Sequence, residues 1–449
     1  MPSIPTAGHL VLLAALALGA SRADAQRPAH PPPPTPEQVE EVRAAVEHMK
    51  ADARGPFLRI RWFCADGTVH EPQGTPCRER GGGVQHAEPS PTARRLAALG
   101  YHVGTVLQAT DWDAFADEAR GGYRLRELVL QDFLYGVDDG WVMRHARYYR
   151  GALQIEDEER AGRLLLARRL SDPSWAASNA FLALRLAAAV PHTRLGSQGR
   201  TDRIRALATG ISDEDPGFLR LRIKIHSQPS RSDVDAVQAY LTRAPEAVRG
   251  RLTELRDALR DHYDAGRALA SLQAYRRRFP ELAPALDELS ALLAGGDPEA
   301  LFRVLAALSP RVRELAESTP DGQRVLDLLD LQASLQEQAF VVAQELEARA
   351  PASRDAALAR LADHVALAYA AGYLSGRERA ALADELSRLR ARGATGALEY
   401  KTSLGYVARV LEWARGTARG TFAPVVDRYA PIEPAASGLY DALLRGSVL

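Results

Sequence analysis

The sequence predicts a mainly α fold, an irregular multi-helix array or bundle with a small disulfide-pinned β-hairpin and loop element near the N-terminus. Three observations carry that expectation. Beyond Thr92, cap residues and apolar residues at three-and-four spacing recur segment after segment. No run of alternating β-branched residues long enough for a core sheet appears there. The two cysteines, Cys64 and Cys77, sit in a Gly- and Pro-dense segment beside one alternating stretch. The 449 residues, 46% hydrophobic and 25% charged, have the make-up of an ordinary soluble protein with two or three packed units. With 57 Lys+Arg against 57 Asp+Glu, no whole-molecule field attracts nucleic acid or an anionic bilayer, and a nucleic-acid partner is not expected.

Residues 1–25 read as a signal peptide. The apolar run from Leu10 to Ala20 is too short to span a bilayer comfortably, and Ala23-Asp24-Ala25 after it is an A-x-A site with cleavage after Ala25. Only His9 and the amino terminus supply charge ahead of the run, fewer cations than such peptides usually carry. Residues 26–36, including Pro31 to Pro34, form a Pro-rich linker that separates this segment from any core. The chain is therefore expected to be exported to the periplasm, with no transmembrane anchor after signal removal. Export makes a Cys64–Cys77 disulfide the expected state, the alternative being two buried free thiols. Closing a loop of that length stabilises a fold by roughly 3 kcal/mol in the chain-entropy model.

A first helix is expected from Pro36 to Arg54. Thr35 is its cap, Pro36 its first residue, and Val39, Val42, Val46 and Met49 fall on one face until Gly55-Pro56 ends it. Phe57 to Phe63 then alternates apolar and charged residues before Asp66-Gly67, and Thr68-Val69-His70 returns as the hairpin partner. Residues 71–91, with Gly81-Gly82-Gly83 and several prolines, read as a loop ordered by the disulfide. Further on, Asp297-Pro298-Glu299 opens a helix, and Thr319-Pro320-Asp321 opens a longer one. The face of that longer helix, Leu328, Leu331, Leu335, Ala339, Val342 and Leu346, is expected to pack on the helix that begins at Ser353 and carries Leu358, Leu361 and Val365. Ser375 and Glu378 form a capping box for a third antiparallel member. A boundary near Pro229-Ser230 divides an N-terminal helical domain, 37–229, from a C-terminal helical bundle, 230–449. Leu439, Leu443, Leu444, Val448 and Leu449 keep the chain apolar to its last residue, which reads as a bundle cut short.

Four groups of residues are candidates for chemistry. From Cys77 to Glu88 the chain offers Arg78, Glu79, Arg80, a glycine turn, His86 and Glu88; backbone N–H groups in such a turn form a nest for an anion that Arg78 or Arg80 can clamp. The structural alternative is a turn whose arginines pair with Glu79 or Glu88. A zinc site built on His86, Glu88 and a thiolate lacks the four ligands a closed site needs, so no metal is expected. Gly81-Gly82-x-x-x-His86-Ala87 has the glycine lead of a dikinase phosphohistidine motif. It departs from that motif at Gln85 and at Pro89 and Pro91, which prevent a following helix, so no phosphohistidine is assigned. Asp138 and Asp139, followed by Arg144, Arg147, Tyr148, Tyr149, Arg150 and the acidic run 156–159, are a weak acid–base or cation candidate; a turn with Asp138 capping the Trp141 helix is the favoured account. Lys224, one of only three lysines, is flanked by Ile223 and Ile225, and an ion pair to a nearby carboxylate competes with a reactive amine. His364 is read as a packing or surface residue. Serine-hydrolase elbows, Walker loops, dinucleotide fingerprints and paired-histidine zinc helices are absent from the sequence.

The stretches Gly55 to Cys64, Cys77-Arg78-Glu79 with Gly81 to His86, Gly136 to Trp141 and Ala146 to Gln154 together resemble the N-terminal helical region of exported bacterial phosphoenolpyruvate synthase-like proteins. The likeness is patchy after about Pro229. It implies that a PEP/pyruvate-binding, ATP-grasp domain of the pyruvate,phosphate dikinase type follows or partners this region. ATP and Mg would then belong to that domain, with no cofactor and no catalytic residue in this chain. The leading expectation is an exported non-catalytic module that acts as scaffold or docking region for a phosphotransferase. Two alternatives stand beside it: an independent periplasmic enzyme or ligand-binding protein using the 77–88 and 138–159 clusters, and a helical protein-association module.

Overall fold

The computed structural model describes residues 31–52, 54–71, 76–104, 107, 110–116, 122–137, 160–190, 198–227, 232–263, 265–347, 349, 353–391 and 397–445. The expected signal peptide with Ala25 and residues 26–30 lie outside this set, as do Asp138, Asp139, the rest of the 138–159 cluster, Val448 and Leu449.

Helix α1 (Pro36–Ala51) begins as the sequence requires: Thr35 Oγ1 accepts from the Gln38 amide, and the Gln38 side chain accepts from the Thr35 amide. Val42, Val46 and Met49 are buried along one face. Strands β1 (Phe57–Cys64), β2 (Val69–His70) and β3 (Gly83–Pro89) follow as an antiparallel sheet in the order β2-β1-β3. The expected hairpin pairs Trp62 with His70 and Phe63 with Val69. The segment read as a loop contains β3, which pairs along β1 from Cys64↔Gly83 to Phe57↔Pro89. The physical reason is backbone accounting, because without β3 one edge of β1 would bury unpaired amides and carbonyls. Gly81 and Gly82, at φ +80° and +85°, make the turn that delivers it. The Cys64–Cys77 disulfide forms across a separation of 13 residues and shares a small cluster with Trp62; Phe57, Ile60 and Ala87 form another.

After the sheet, all regular secondary structure among the described residues is helical. Helices α2 (Pro91–Ala98), α3 (Trp112–Phe115), α4 (Tyr123–Val137), α5 (160–170), α6 (Pro173–Ser178) and α7 (Ala180–Ala189) complete the first part. Next come α8 (Gln198–Glu214), α9 (Leu219–Ser227), α10 (Ser232–Leu241), α11 (Glu246–Tyr263), α12 (Ala265–Arg278) and α13 (Ala283–Leu293). The last group is α14 (Pro298–Ser318), α15 (Gly322–Glu347), α16 (Arg354–Ala370), α17 (Gly376–Ala391), α18 (Ala397–Tyr429) and α19 (Leu439–Arg445). The helix starts read from sequence are realised at Asp297, Asp321 and Ser353, each of which accepts from amides of the first turn, and in the Ser375–Glu378 box.

The six residues expected on the inner face of α15 are all buried, yet their main partner is α14. Helix α14 also packs on α16, so it sits where the sequence reading placed a direct α15–α16 seam. The stretch of α15 from Val325 to Gln332 is buried on every side, because α7 covers the face that α14 leaves open. The apolar clusters also divide differently from residue 229. The largest runs from Val42 through α4, α7, α14 and α15 to Leu444, joining the beginning and end of the described chain. A second, from Ile204 to Leu259, holds α8 and α9 against α10 and α11 across the expected boundary. Leu439, Leu443 and Leu444 are buried in the largest cluster, which accounts for the apolar character of α19. Among the described residues no helix is long and apolar enough to cross a membrane.

Candidate functional site

The residues singled out from sequence do not converge. Arg78 and Glu79 are exposed in the turn after the disulfide half-cystine Cys77. His86 is placed by its backbone, opposite Arg61 in β3, and its side chain lies outside the described set. Glu88 faces Arg59, whose Nε donates to it at 2.5 Å, with Arg94 at 3.9 Å; the Arg59 hydrogen bond holds its carboxyl below the usual range. Arg80 pairs with Asp66 at 3.2 Å. Lys224, on α9, lies 2.8 Å from the fully buried carboxylate of Asp233 on α10 and donates to Ser232 at 3.2 Å. His364 packs edge-on against Phe302, a packing position. The sequence clusters are thus distributed over the sheet, the α9–α10 corner and residues outside the described set.

Among the described residues a dense polar centre forms around Glu127, where no motif marks it. Glu127, on α4 and almost completely buried, accepts from the backbone amide of His102 at 2.9 Å and from the Tyr429 hydroxyl of α18. Its other oxygen lies 2.8 Å from Arg124 Nη1 and 2.9 Å from His102 Nδ1. Gln131, one turn further along α4, donates to the His102 carbonyl at 2.5 Å. Around this knot, Tyr123 donates to the Gly100 carbonyl and Tyr101 to the Arg428 carbonyl. The Arg428 guanidinium donates to the carbonyls of Leu99, Pro31 and Pro32 and lies over the Tyr101 ring. Burial pushes the Glu127 carboxyl up, opposed by the Arg124 charge, and burial next to Glu127 pushes the Tyr429 phenol well up.

A second buried charge group lies on α15. Asp330 receives Arg163 of α5 at 2.7 Å, and Asp327 receives Arg278 of α12 with Arg163 at 3.5 Å. Burial pushes the Asp327 carboxyl up despite its arginines. Both groups tie helices that are distant in sequence, and no periodicity or short motif marks them. Their sequence trace is no more than an acidic residue next to apolar ones, as at Glu127 before Leu128-Val129-Leu130.

Chemically, Glu127 Oε2 and His102 Nδ1 stand at ion-pair distance, 2.9 Å, without the geometry of a hydrogen bond, so the carboxylate does not orient the ring as in a carboxylate–imidazole base. The His102 side chain is 22% exposed and the Glu127 side chain 1%. Among the contacts of the described residues, Arg124 and the Tyr429 hydroxyl join the pair at the Glu127 carboxyl. Among those residues no group of three or more His, Cys, Asp and Glu is disposed to hold a metal ion. What the arrangement does is join three stretches of chain, the 99–102 turn, α4 and α18.

One isolated carboxyl has a measurable consequence. Asp363, half-buried on α16, has its carboxyl pushed up to about 6 by burial, against the pull of Arg303 and Arg390. A folded carboxyl that holds its proton more tightly than the unfolded chain favours folding below about pH 4, and that contribution is lost as the pH rises through about 6. Asp363→Asn is therefore expected to gain about 1–2 kcal/mol at about pH 8 after allowance for partial exposure, and clearly less at about pH 5. Urea midpoints at the two pH values check it; an equal gain at both would remove the ionisation as the cause.

No protein-family model matches the chain, and no curated protein or solved structure matches it either.

Proposed function

We propose that this chain is an exported helical support for a phosphotransferase of the phosphoenolpyruvate synthase-like type, with PEP/pyruvate and ATP bound by a partner domain. The observation that carries the reading is the Glu127 centre, whose contacts run to the chain's own backbone and side chains. A buried carboxylate spent in this way specifies how α4, α18 and the 99–102 turn sit together, which is a requirement of a rigid support. Two further features agree with it. The sequence candidates Glu88 and Lys224 are engaged in ion pairs, and the Cys64–Cys77 disulfide suits an oxidising compartment such as the periplasm. The resemblance carried by Gly55 to Cys64 and by Cys77 to His86 supplies the class of partner.

The test uses residues 26–449 with the disulfide intact. Incubated with γ-labelled ATP, Mg and pyruvate, this chain is expected to transfer no label. It is expected to bind a separately produced PEP/pyruvate-binding domain from the same genome, with a Kd below about 10 μM by calorimetry, the range of a specific interface. Phosphoryl transfer by the chain alone, or no association with that domain, overturns the reading.

A further inference from the structure

The proline run that the sequence places in a spacer lies against the folded body. Pro31 and Pro34 are half-buried, and Pro32 and Pro33 are exposed. The run meets a corner built from the 99–101 turn and the last turn of α18, where Arg428 sits only 5% exposed. The Arg428 guanidinium donates to three backbone carbonyls: Leu99 at 2.6 Å, Pro31 at 2.7 Å, and Pro32. None of these acceptors is a carboxylate. The Tyr101 ring backs the guanidinium at 5.4 Å. Gly100, at φ +86°, lets the Pro31 ring approach so closely that an added Cβ would stand 3.0 Å from Pro31 Cβ.

A polyproline segment is extended, makes no internal hydrogen bonds and leaves its carbonyls to outside donors, so a fixed donor beside a surface shaped for a proline ring reads it. Arg428 is that donor and Gly100 that surface. The seated segment is also detachable. The cap of α1 is made between Thr35 and Gln38 and needs nothing from the prolines. Helix α1 is held separately, by buried Val42, Val46 and Met49, by Arg43 on the Pro431 carbonyl and by Lys50 on Glu433. Lifting the strap of residues 31–34 takes away two of the three carbonyls around Arg428, a cost that another segment of the same chemistry relieves.

We propose that this corner is a polyproline-recognition site, closed by the chain's own residues 31–34 and taken by a proline-rich segment of a partner protein when that strap lifts. The partner segment is proline-rich because the one already seated is: two successive proline carbonyls meet Arg428 Nη2, and a proline ring meets Gly100. The site does not draw on the phosphotransferase reading above, and its outcome leaves the label-transfer test untouched.

The probe is a synthetic peptide of residues 28–35, blocked at both ends, and the control peptide carries glycine at 31–34. Both are titrated by ligand-observed NMR into residues 26–449, as wild type and as a strap variant in which Pro31→Gly, Pro32→Gly, Pro33→Gly and Pro34→Gly loosen the internal contact. The strap variant is expected to bind the probe with a Kd near about 0.1 mM. Wild type is expected to bind it at least about tenfold more weakly, because its tethered strap competes at an effective concentration in roughly the millimolar range. The control peptide is expected to bind neither. Arg428→Lys in the strap variant keeps the charge but offers one nitrogen where Arg428 uses two, and is expected to weaken the probe at least about tenfold, with thermal unfolding verifying the fold. If Arg428→Lys does not fold, a photo-reactive group beside the prolines of the probe decides: crosslinks to the 99–101 turn or to the end of α18 support the site. Crosslinks elsewhere, no binding to the strap variant, equal binding by wild type, or equal binding of the control peptide overturns it. A wild-type dimer that is lost in the strap variant makes a second copy the occupant and overturns the partner assignment.

Discussion

Glu127→Ala is expected to destabilise the fold by about 3–5 kcal/mol, the usual cost of removing one member of a buried charged pair. The loss has identifiable parts. The Arg124 guanidinium, the Tyr429 hydroxyl and the His102 amide each lose the Glu127 acceptor, and α18 loses a polar link to α4. Glu127→Gln keeps the shape and part of the bonding, so its cost is smaller and depends on pH in a defined direction. Burial pushes the Glu127 carboxyl up, so the wild type is favoured where the group is protonated and loses that advantage as the pH rises through the folded-state value. The penalty of Glu127→Gln relative to wild type therefore shrinks with rising pH. Denaturant titrations of both variants at two pH values measure this, and hydrogen exchange at α4 and α18 locates it. A penalty for Glu127→Ala under about 1 kcal/mol, the size of an exposed ion pair, would show that the network is not what joins these helices.

The second large effect is expected at Gly322, the first residue of α15. A Cβ there would lie 1.7 Å from the Ala167 carbonyl oxygen and 2.6 Å from Ser171 Oγ, so the start of α15 rests directly on the end of α5. That carbonyl is fixed by two donors, the amide and hydroxyl of Ser171, each at 3.0 Å. The obstacle is backbone rather than a flexible side chain, so Gly322→Ala is expected to cost at least about 3 kcal/mol, the upper range for overpacking. Gly250→Ala in α11 is the matched control. Nothing lies within 4 Å of its added methyl, and replacing a helix-interior glycine with alanine stabilises by about 0.5–1 kcal/mol. Thermal melts of the two variants should move in opposite directions. If Gly322→Ala melts with wild type, α15 does not begin against α5.

These two sites illustrate what a linear reading reaches. Thr35 with Gln38, Asp297, Ser353 and the Ser375–Glu378 box were legible because a cap and its amides lie within four residues of each other. The Cys64–Cys77 disulfide was legible from composition and inferred compartment, and the mainly α class from spacing. Strand β3 was not, since glycine and proline mask strand propensity while the requirement it meets belongs to β1. The α14 partner of α15 was hidden because periodicity shows that a face is buried without showing against what. Glu127 and Tyr429 are 302 positions apart, and Arg163 and Asp330 are 167 apart; neither pair leaves a local trace.

The reach of the largest apolar cluster from Val42 to Leu444 bears on biogenesis. A ribosome delivers α1 and α4 long before α18 and α19 exist, so their apolar faces wait uncovered while the intervening chain is made. The α8–α11 group, whose cluster closes between Ile204 and Leu259, and the α16–α18 group, whose cluster closes between Leu358 and Val410, can instead pack from neighbouring sequence. Until the C-terminal helices are made, a nascent polypeptide of this design carries leucines that it cannot yet hide.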